Sequence, residues 1–346
     1  MSGRFRFLLF HPMETERKKL ICLTPMRNEA WVLDKFLSSA SLWADHIILA
    51  DDHSEDESRA IARRFPKVHL IENPAAEFDE AQRQRLLLDE ARKIPGPKIL
   101  FALDADEFLT ANYTTSLEWQ QILDAEPGSL FYLRYLNVLP TFKRAWIAHR
   151  TPAIFVDDGT PHIGRRMHSQ RLPTAPLGDK RELKEIKILH LQFLDWSRMQ
   201  SKHAWYQCFE HLNLDLHGVA LYRKYHHMDR FARRESLTVP VEAHWTADYE
   251  AQGIRMSEVL QTPYWWDDAV VKMLVERGPA FFADIAMWDR DWNAIKRRVG
   301  PDSPVDLSDP RSAMQKWMHR YLCATQPYST AWPIQKLDAV LMRLGF

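Results

Sequence analysis

Between Lys19 and about Leu139 the chain alternates short apolar runs with longer amphipathic stretches. Leu20-Ile21-Cys22-Leu23-Thr24, His46-Ile47-Ile48-Leu49-Ala50, Val68-His69-Leu70-Ile71 and Ile99-Leu100-Phe101-Ala102-Leu103 are too short for helices and too apolar for loops, so they read as buried strands. Glu29 to Trp43 carries Leu33, Phe36, Leu37 and Ala40 at helical spacing, and Asp79 to Lys93 is a second helix stopped by Pro95-Gly96-Pro97. Ser54 is placed to cap a helix after the second strand, with Glu55, Asp56 and Glu57 suited to its positive end. Strands alternating with helices imply a parallel sheet covered on both faces, with ligands bound beyond the carboxyl ends of the strands. Two of those ends carry paired carboxylates, Asp51-Asp52 and Asp104-Ala105-Asp106.

Glycine narrows the chemistry of that edge. After Gly3 the next glycine is Gly96, which excludes G-x-G-x-x-G and G-x-x-x-x-G-K-[ST] phosphate loops from the first ninety residues. A diphosphate bound here needs another partner. Two carboxylates one residue apart at a strand end can converge on Mg²⁺ or Mn²⁺, which take hard oxygen ligands and bridge to phosphates. Acidic residues also cap strand-to-loop transitions, and a bare D-x-D triplet is common. The preceding apolar strand and the following Glu107-Phe108 favour the ligand role. At Asp51-Asp52 capping is already supplied by Ser54 and Glu55, which leaves the pair free to contact a base or ribose.

Lysine plus arginine equals aspartate plus glutamate at 46 each, so nothing marks the chain as a nucleic-acid binder. Cys22, Cys208 and Cys323 form no C-x-x-C pair, which points to reduced thiols and a cytoplasmic setting. Arg4 to Phe10 is too short and too interrupted for a signal peptide and reads as a strand or arm. No segment approaches the length of a membrane span. From Ser129 to Leu194 the pattern is β-rich and irregular. Beyond Ser197 it looks helical, and nine of the 13 tryptophans lie beyond His190. Two regions follow, an α/β domain over 19–195 and a helical, tryptophan-rich region over 196–346.

Thr24-Pro25-Met26-Arg27-Asn28-Glu29, Asp51-Asp52-His53-Ser54-Glu55-Asp56 and Leu103-Asp104-Ala105-Asp106-Glu107 together resemble three motifs of the family 2 glycosyltransferases, in order and each at a strand end. The resemblance covers 19–110 closely and 111–205 loosely. It implies a GT-A-like, mostly parallel sheet flanked by helices, here with a helical C-terminal extension. It also implies a nucleotide-diphospho-sugar donor, a divalent metal (Mn²⁺ or Mg²⁺) and transfer to an acceptor hydroxyl with inversion. Pro25, Arg27 and Glu29 would line the base pocket and Asp52 would contact the base. Arg83 or Arg85 would approach the nucleotide, although a solvated helix face explains them equally well. Asp104 would face the ribose and join Asp106, the main metal ligand.

Some members of that family resemble Ile188-Leu189-His190-Leu191 followed by a helix bearing Lys202, His203 and Tyr206. His190 would then complete the metal site and Lys202 would stabilise the departing diphosphate. A lone histidine on an apolar strand is more often a satisfied core residue. Arg165 and Arg166, with Met167 and His168, form a cationic cluster for donor phosphates or an anionic acceptor, or simply a solvated loop. Asp157 and Asp158 are the nearest candidates for the base that deprotonates the acceptor. No Q-x-x-R-W motif is present, which argues against a processive synthase. Trp265-Trp266 reads as the exposed pair among tryptophans that otherwise pack helices or stack on sugars.

The resulting expectation is a soluble glycosyltransferase using a glycan, lipid-linked or small-molecule acceptor. Peripheral membrane contact remains open, but no strongly basic amphipathic face supports it. Two alternatives stand beside it. A sugar-nucleotide pyrophosphorylase shares such a sheet but usually has a glycine-rich basic loop after the first strand. A non-catalytic nucleotide-sugar binder or scaffold fits the fold but not the paired Asp104 and Asp106.

Overall fold

Among the described residues ten strands build one sheet: β1 (Lys19–Met26), β2 (His46–Asp51), β3 (Val68–Glu72), β4 (Lys98–Ala102), β5 (Glu107–Leu109), β6 (Leu130–Val138), β7 (Arg144–Val156), β8 (Lys180–Glu182), β9 (Ile188–His190) and β10 (Val239–Pro240). Their order is β3-β2-β1-β4-β7-β6-β9-β5, with β10 added to β7 and β8 to β6. The computed structural model describes residues 16–75, 79–166, 168–173, 178–214, 216–299 and 302–346. The expected arm at Arg4–Phe10 and Met167 lie outside them. The first four strands pair in parallel, as the alternation implies. Beyond β4 the sheet turns mixed. β7 is antiparallel to β4 and to β6, β9 is parallel to β6, and β5 is antiparallel to β9. The continuous parallel part is thus four of the ten strands, and β8 and β9 add two further parallel pairings with β6.

Twelve α-helices accompany the sheet among the described residues. In the α/β part they are α1 (Leu33–Ala40), α2 (Ser58–Ala62), α3 (Glu80–Arg92) and α4 (Leu117–Leu123). The helical region supplies α5 (Trp196–Leu214), α6 (Gly218–Tyr225), α7 (Met228–Arg233), α8 (Ala247–Ala251), α9 (Trp265–Arg277), α10 (Trp292–Val299), α11 (Ala313–Thr325) and α12 (Trp332–Arg343).

The strand sequences explain why both faces are covered. Alternate residues of a strand point to opposite faces, and here both sets are apolar. Cys22, Ile47, Leu49 and Phe101 pack with Phe36 and Leu37 of α1, while Ile21, Leu23, Ile48 and Leu100 pack with Leu87, Leu88 and Ala91 of α3. α3 starts where the Asp79 side chain accepts from Gln82 N. The helix after β2 begins only at Ser58, with Glu57 rather than Ser54 at its N-cap. Its start moves because Ser54 serves a different contact, described below.

The boundary at residue 195 is not a packing boundary everywhere. Trp245, Tyr249 and Met256 belong to the same core as β1 and β4, and the Tyr249 hydroxyl donates to Leu109 O at 2.8 Å. The helical region has its own core around Cys208, Leu221, Val270, Leu274, Phe282 and Trp292. Its tryptophans serve that core directly: Trp288 Nε1 donates to Phe282 O and Trp292 Nε1 to Met287 O, each at 3.0 Å. A buried indole needs such a partner for its N–H.

Candidate active site

The loops after β1 and β2 are sewn to each other. Asn28 and His53 each sit in the left-handed region, at φ 54° and 57°; Asn tolerates that conformation better than most residues. Asn28 N donates to Ser54 Oγ (2.9 Å), Glu29 N to Ser58 Oγ (2.8 Å) and Ala30 N to Asp56 Oδ2 (3.1 Å), while Glu55 N donates to Asn28 Oδ1 (2.7 Å). The spacing of serine and aspartate after β2 is therefore a lacing for the β1 loop. Asp51 is consumed by this framework: it accepts from Ser54 N and is ion-paired to Arg59. Asp52 instead turns towards the cleft, where it accepts from Asn73 Nδ2 at 3.2 Å and lies 3.9 Å from Arg83 Nη1.

The turn after β4 closes on itself. Glu107 N donates to Asp104 O at 3.0 Å, and Asp104 N to Glu107 Oε2 at 3.2 Å. Arg171 grips both carboxylates, reaching Glu107 with two nitrogens and Asp104 Oδ2 at 2.6 Å. Such bidentate pairing fixes geometry as well as charge. Strand register then sets the neighbours of the turn, because His190 lies opposite Glu107 on one side and Asn137 on the other. His190 Nδ1 donates to Asn137 Oδ1 at 2.7 Å, which leaves the lone pair on Nε2. That nitrogen lies 3.7 Å from Asp106 Oδ2.

Asp106, Glu107 and His190 are close enough to hold one ion. Glu107 is already engaged with Arg171, so the free donor set is Asp106 and His190. Two ligands about 2.1 Å from an octahedral ion stand roughly 3.0 Å apart when adjacent and roughly 4.2 Å apart when opposite; the 3.7 Å gap lies between these values. A histidine whose far nitrogen is fixed by a polar partner is also the usual form of a metal-binding imidazole. Closing the 3.7 Å gap by roughly 0.7 Å would bring the two ligands to adjacent octahedral positions, so the donor set can accept a divalent cation with a small side-chain adjustment. Burial opposes ionisation of Asp106, but His190, Lys202 and Arg171 outweigh it and hold the carboxyl well below the usual range.

Helices α5 and α9 form the opposite wall. The cleft of about 170 Å³ is bounded on the sheet side by Pro25, Arg27, Glu29, Asp52, Asp104 and Asp106, and on the helical side by Lys202, Trp205, Tyr206, Trp265 and Trp266. The Arg27 guanidinium lies 4.2 Å over the Trp265 ring. Arg198 is sandwiched between Trp31 (4.6 Å) and Trp266 (4.7 Å) and donates to Asn28 O at 3.2 Å. Trp31 Nε1 donates to Glu29 Oε2 at 2.6 Å. Burial, reinforced by Asp106, pushes Glu29 up to about 7 against the pull of Arg198 and Lys202. Lys202 donates to Gln192 Oε1 at 2.9 Å. Burial works against its charge, but Asp106 and the other acidic groups around it keep it raised.

The structure thus gathers Pro25, Arg27, Glu29, Asp52, Arg83, Asp104, Asp106, His190 and Lys202 around one cleft and its metal-type corner. Arg85 is left on the solvent side of α3. Arg165 and Arg166 lie on an exposed loop whose Arg166 O accepts from Glu80 N, at the cleft rim. Asp157 and Asp158 do not reach the cleft. Asp157 N donates to Lys98 O, at the start of β4, and its carboxylate is bound by Arg92. At about 3.3 Å per residue, the five residues of β4 put them roughly 16 Å from its far end. They follow an antiparallel strand, so the strand-end rule that found Asp104 points the wrong way for them. Trp265 and Trp266 also depart from expectation: Trp266 is buried and both wall the cleft. Arg171 and Arg198 carry no signal in the sequence, where each is one arginine among many.

The mixed α/β sheet flanked by helices, with Asp52, Asp104 and Asp106 at the carboxyl ends of its parallel strands, is consistent with a GT-A-like fold. Residues 22–117 match Glycosyl transferase family 2. No curated protein sequence matches the chain. Among solved structures, glucosyl-3-phosphoglycerate synthase from Mycobacterium tuberculosis, in complex with Mn²⁺, UDP and glucosyl-3-phosphoglycerate, is similar at 16% identity and a TM-score of 0.27, over 35% of this chain and 44% of that one. The chain therefore spans less than half the length of that protein. A 4-diphosphocytidyl-2C-methyl-D-erythritol synthase is similar at 16% identity and a TM-score of 0.28, over 40% of this chain and 76% of that one.

Proposed function

We propose that the chain transfers a sugar from a nucleotide-diphosphate donor to an acceptor hydroxyl, with a divalent cation held by Asp106 and His190. The observation that carries this reading is the Asp106–His190–Asn137 arrangement beside Lys202 at the end of β4. When bound, the cation neutralises charge on the diphosphate and helps it leave. Asp52 and Arg83 hold the nucleoside end. Arg171 keeps Asp104 facing the cleft, and Lys202 supplies a fixed positive charge where negative charge grows on the leaving group. Trp265 and Trp266 close the cleft and exclude water from it.

Transfer with inversion needs one base on the acceptor side. Of the carboxylates that line the cleft, burial pushes Glu29 up furthest, to about 7, with Asp104 next at about 6, and a group so raised suits proton acceptance near neutrality. A Glu29→Gln chain that transferred sugar at the native rate would exclude it. The free thiols Cys22, Cys208 and Cys323 suit a reducing compartment. Donor hydrolysis across the common nucleotide sugars, with and without Mn²⁺, tests the reading as a whole. Metal-dependent release of one nucleoside diphosphate is expected. Turnover of no nucleotide sugar, or turnover indifferent to chelation, would contradict it. Pyrophosphate-dependent formation of a nucleotide sugar from a sugar phosphate would favour the nucleotidyl-transfer alternative instead.

A further inference from the structure

The C-terminal helices leave apolar surface uncovered. Of the fourteen large hydrophobic side chains that are exposed among the described residues, seven fall between Met314 and Leu344. In α12 they are ordered. Leu337, Val340 and Leu344 recur at i, i+3 and i+7, with exposed Pro333 one turn earlier, and therefore share one face. The helix packs inward through a neighbouring face, where Leu341 joins Val219, Tyr222, Met318 and Leu322. Lys336 and Arg343, also seven apart, form a basic row on the other flank of the apolar one. Trp332 is 68% exposed at the start of that row, with Lys336 Nζ 5.7 Å over its ring.

Charge distinguishes this segment from the rest of the chain. From Arg311 to Phe346 there are five basic residues and one acidic residue, in a chain that is balanced overall; Arg311 and Lys316 are ion-paired with Asp309 just before this stretch, which leaves Arg320, Lys336 and Arg343 as the excess. The one acid, Asp338, is buried: it accepts two hydrogen bonds from Arg223 and one from the Tyr321 hydroxyl. Sequence alone sets Asp338 beside Lys336 and hides the excess. With Asp338 turned inward, every charge that α12 shows to solvent is positive.

We propose that α12 docks on the surface of an anionic lipid bilayer. Leu337, Val340 and Leu344 enter the boundary between headgroups and acyl chains, Trp332 sits at headgroup level, and Lys336 and Arg343 pair with anionic headgroups. An apolar row flanked by lysine, arginine and an exposed tryptophan is the signature of a helix lying in a membrane interface. Among the described residues no helix is long and apolar enough to cross a membrane, so the contact is peripheral. A second copy of the chain is the weaker occupant, because pairing two such faces would bring basic rows together with no exposed acid on α12 to offset them. The docking stands apart from the identity of the donor and acceptor.

Co-sedimentation of the full chain with vesicles tests this. Vesicles of phosphatidylcholine with ~30% phosphatidylserine should bind the chain, neutral phosphatidylcholine vesicles should bind it at least about tenfold less, and salt should weaken binding. At about 1 kcal/mol per basic residue near the surface, the Lys336→Gln/Arg343→Gln double variant should bind about thirtyfold more weakly. Leu337→Gln/Leu344→Gln should lose binding with an unchanged melting temperature, since both side chains are exposed. Failure to bind phosphatidylserine vesicles, or equal binding to neutral ones, would overturn the proposal. So would a native dimer that the Leu337→Gln/Leu344→Gln variant dissolves.

Discussion

On the sheet side of the cleft, Asp52, Asp104 and Asp106 lie at the strand ends themselves, although Asn73, Arg83, Arg171 and His190 reach them from elsewhere in the chain. On the helical side, Lys202, Trp205, Trp265 and Trp266 come from α5 and α9, whose positions depend on packing far along the chain. The first kind of site is written locally, as an apolar run followed by carboxylates. The second is written as packing: α9 lies against α5 through Val270, Val271 and Leu274 and through the Ser201 hydroxyl donating to Asp267, and this contact places Trp265 over Arg27. One wall therefore supplies metal and nucleotide ligands, while the other supplies a cation and aromatic cover.

If the helical wall takes part in chemistry, Lys202→Ala should give the largest loss on that side. Removing one preorganised charge from the leaving-group position should lower kcat by about 10²–10³-fold, measured as donor turnover at saturating donor. A change confined to KM would reduce the helical wall to a cover. Next in size is a variant on the sheet side. Asn137→Ala frees the His190 ring and should weaken Mn²⁺ binding by about 10–100-fold, as loss of an outer partner usually does, read by titration calorimetry. Binding of metal-free nucleotide should hold. A smaller effect is expected from Trp265→Ala. Losing the contact with Arg27 should raise KM for the donor by roughly 2–30-fold, the span of about 0.5–2 kcal/mol for such a pair, with kcat little changed. A drop in stability without a KM effect would make Trp265 a packing residue. The smallest effect on turnover falls outside the cleft: Asp157→Asn should leave turnover within about twofold of native, because Asp157 sits roughly 16 Å from the cleft end of β4, and the loss of its Arg92 ion pair should appear in stability instead. A large loss of turnover would return Asp157 to the list of base candidates.

Legibility in the sequence follows the same division. The four parallel strands, α3 and the two acidic strand ends were readable because hydrophobic period and punctuation are local signals. Asp51 and Asp52 could not be ranked by pattern alone; only the lacing of Ser54, Ser58 and Asp56 to the β1 loop shows which carboxylate is structural. His190 was readable as a residue, but its tautomer depends on Asn137 in a neighbouring strand. Asp157 and Asp158 misled because the strand they follow runs antiparallel to β4, and strand direction leaves no mark on local composition. Arg171 and the tryptophans of α9 act through long-range contacts and have no signature of their own. The tryptophan excess divides accordingly: Trp245, Trp288 and Trp292 pack cores, Trp205, Trp265 and Trp266 wall the cleft, and Trp317 and Trp332 face solvent.

The central claim is that Asp106 and His190 hold a divalent cation on which nucleoside diphosphate binding depends. Titrating Mn²⁺ with nucleoside diphosphate into the native chain and into Asp106→Asn, followed by calorimetry, tests it most directly. The account predicts that the native chain binds the diphosphate only weakly without Mn²⁺ and that Asp106→Asn loses the Mn²⁺-dependent gain while keeping its fold by circular dichroism. Equal Mn²⁺-dependent binding by the two chains would contradict it.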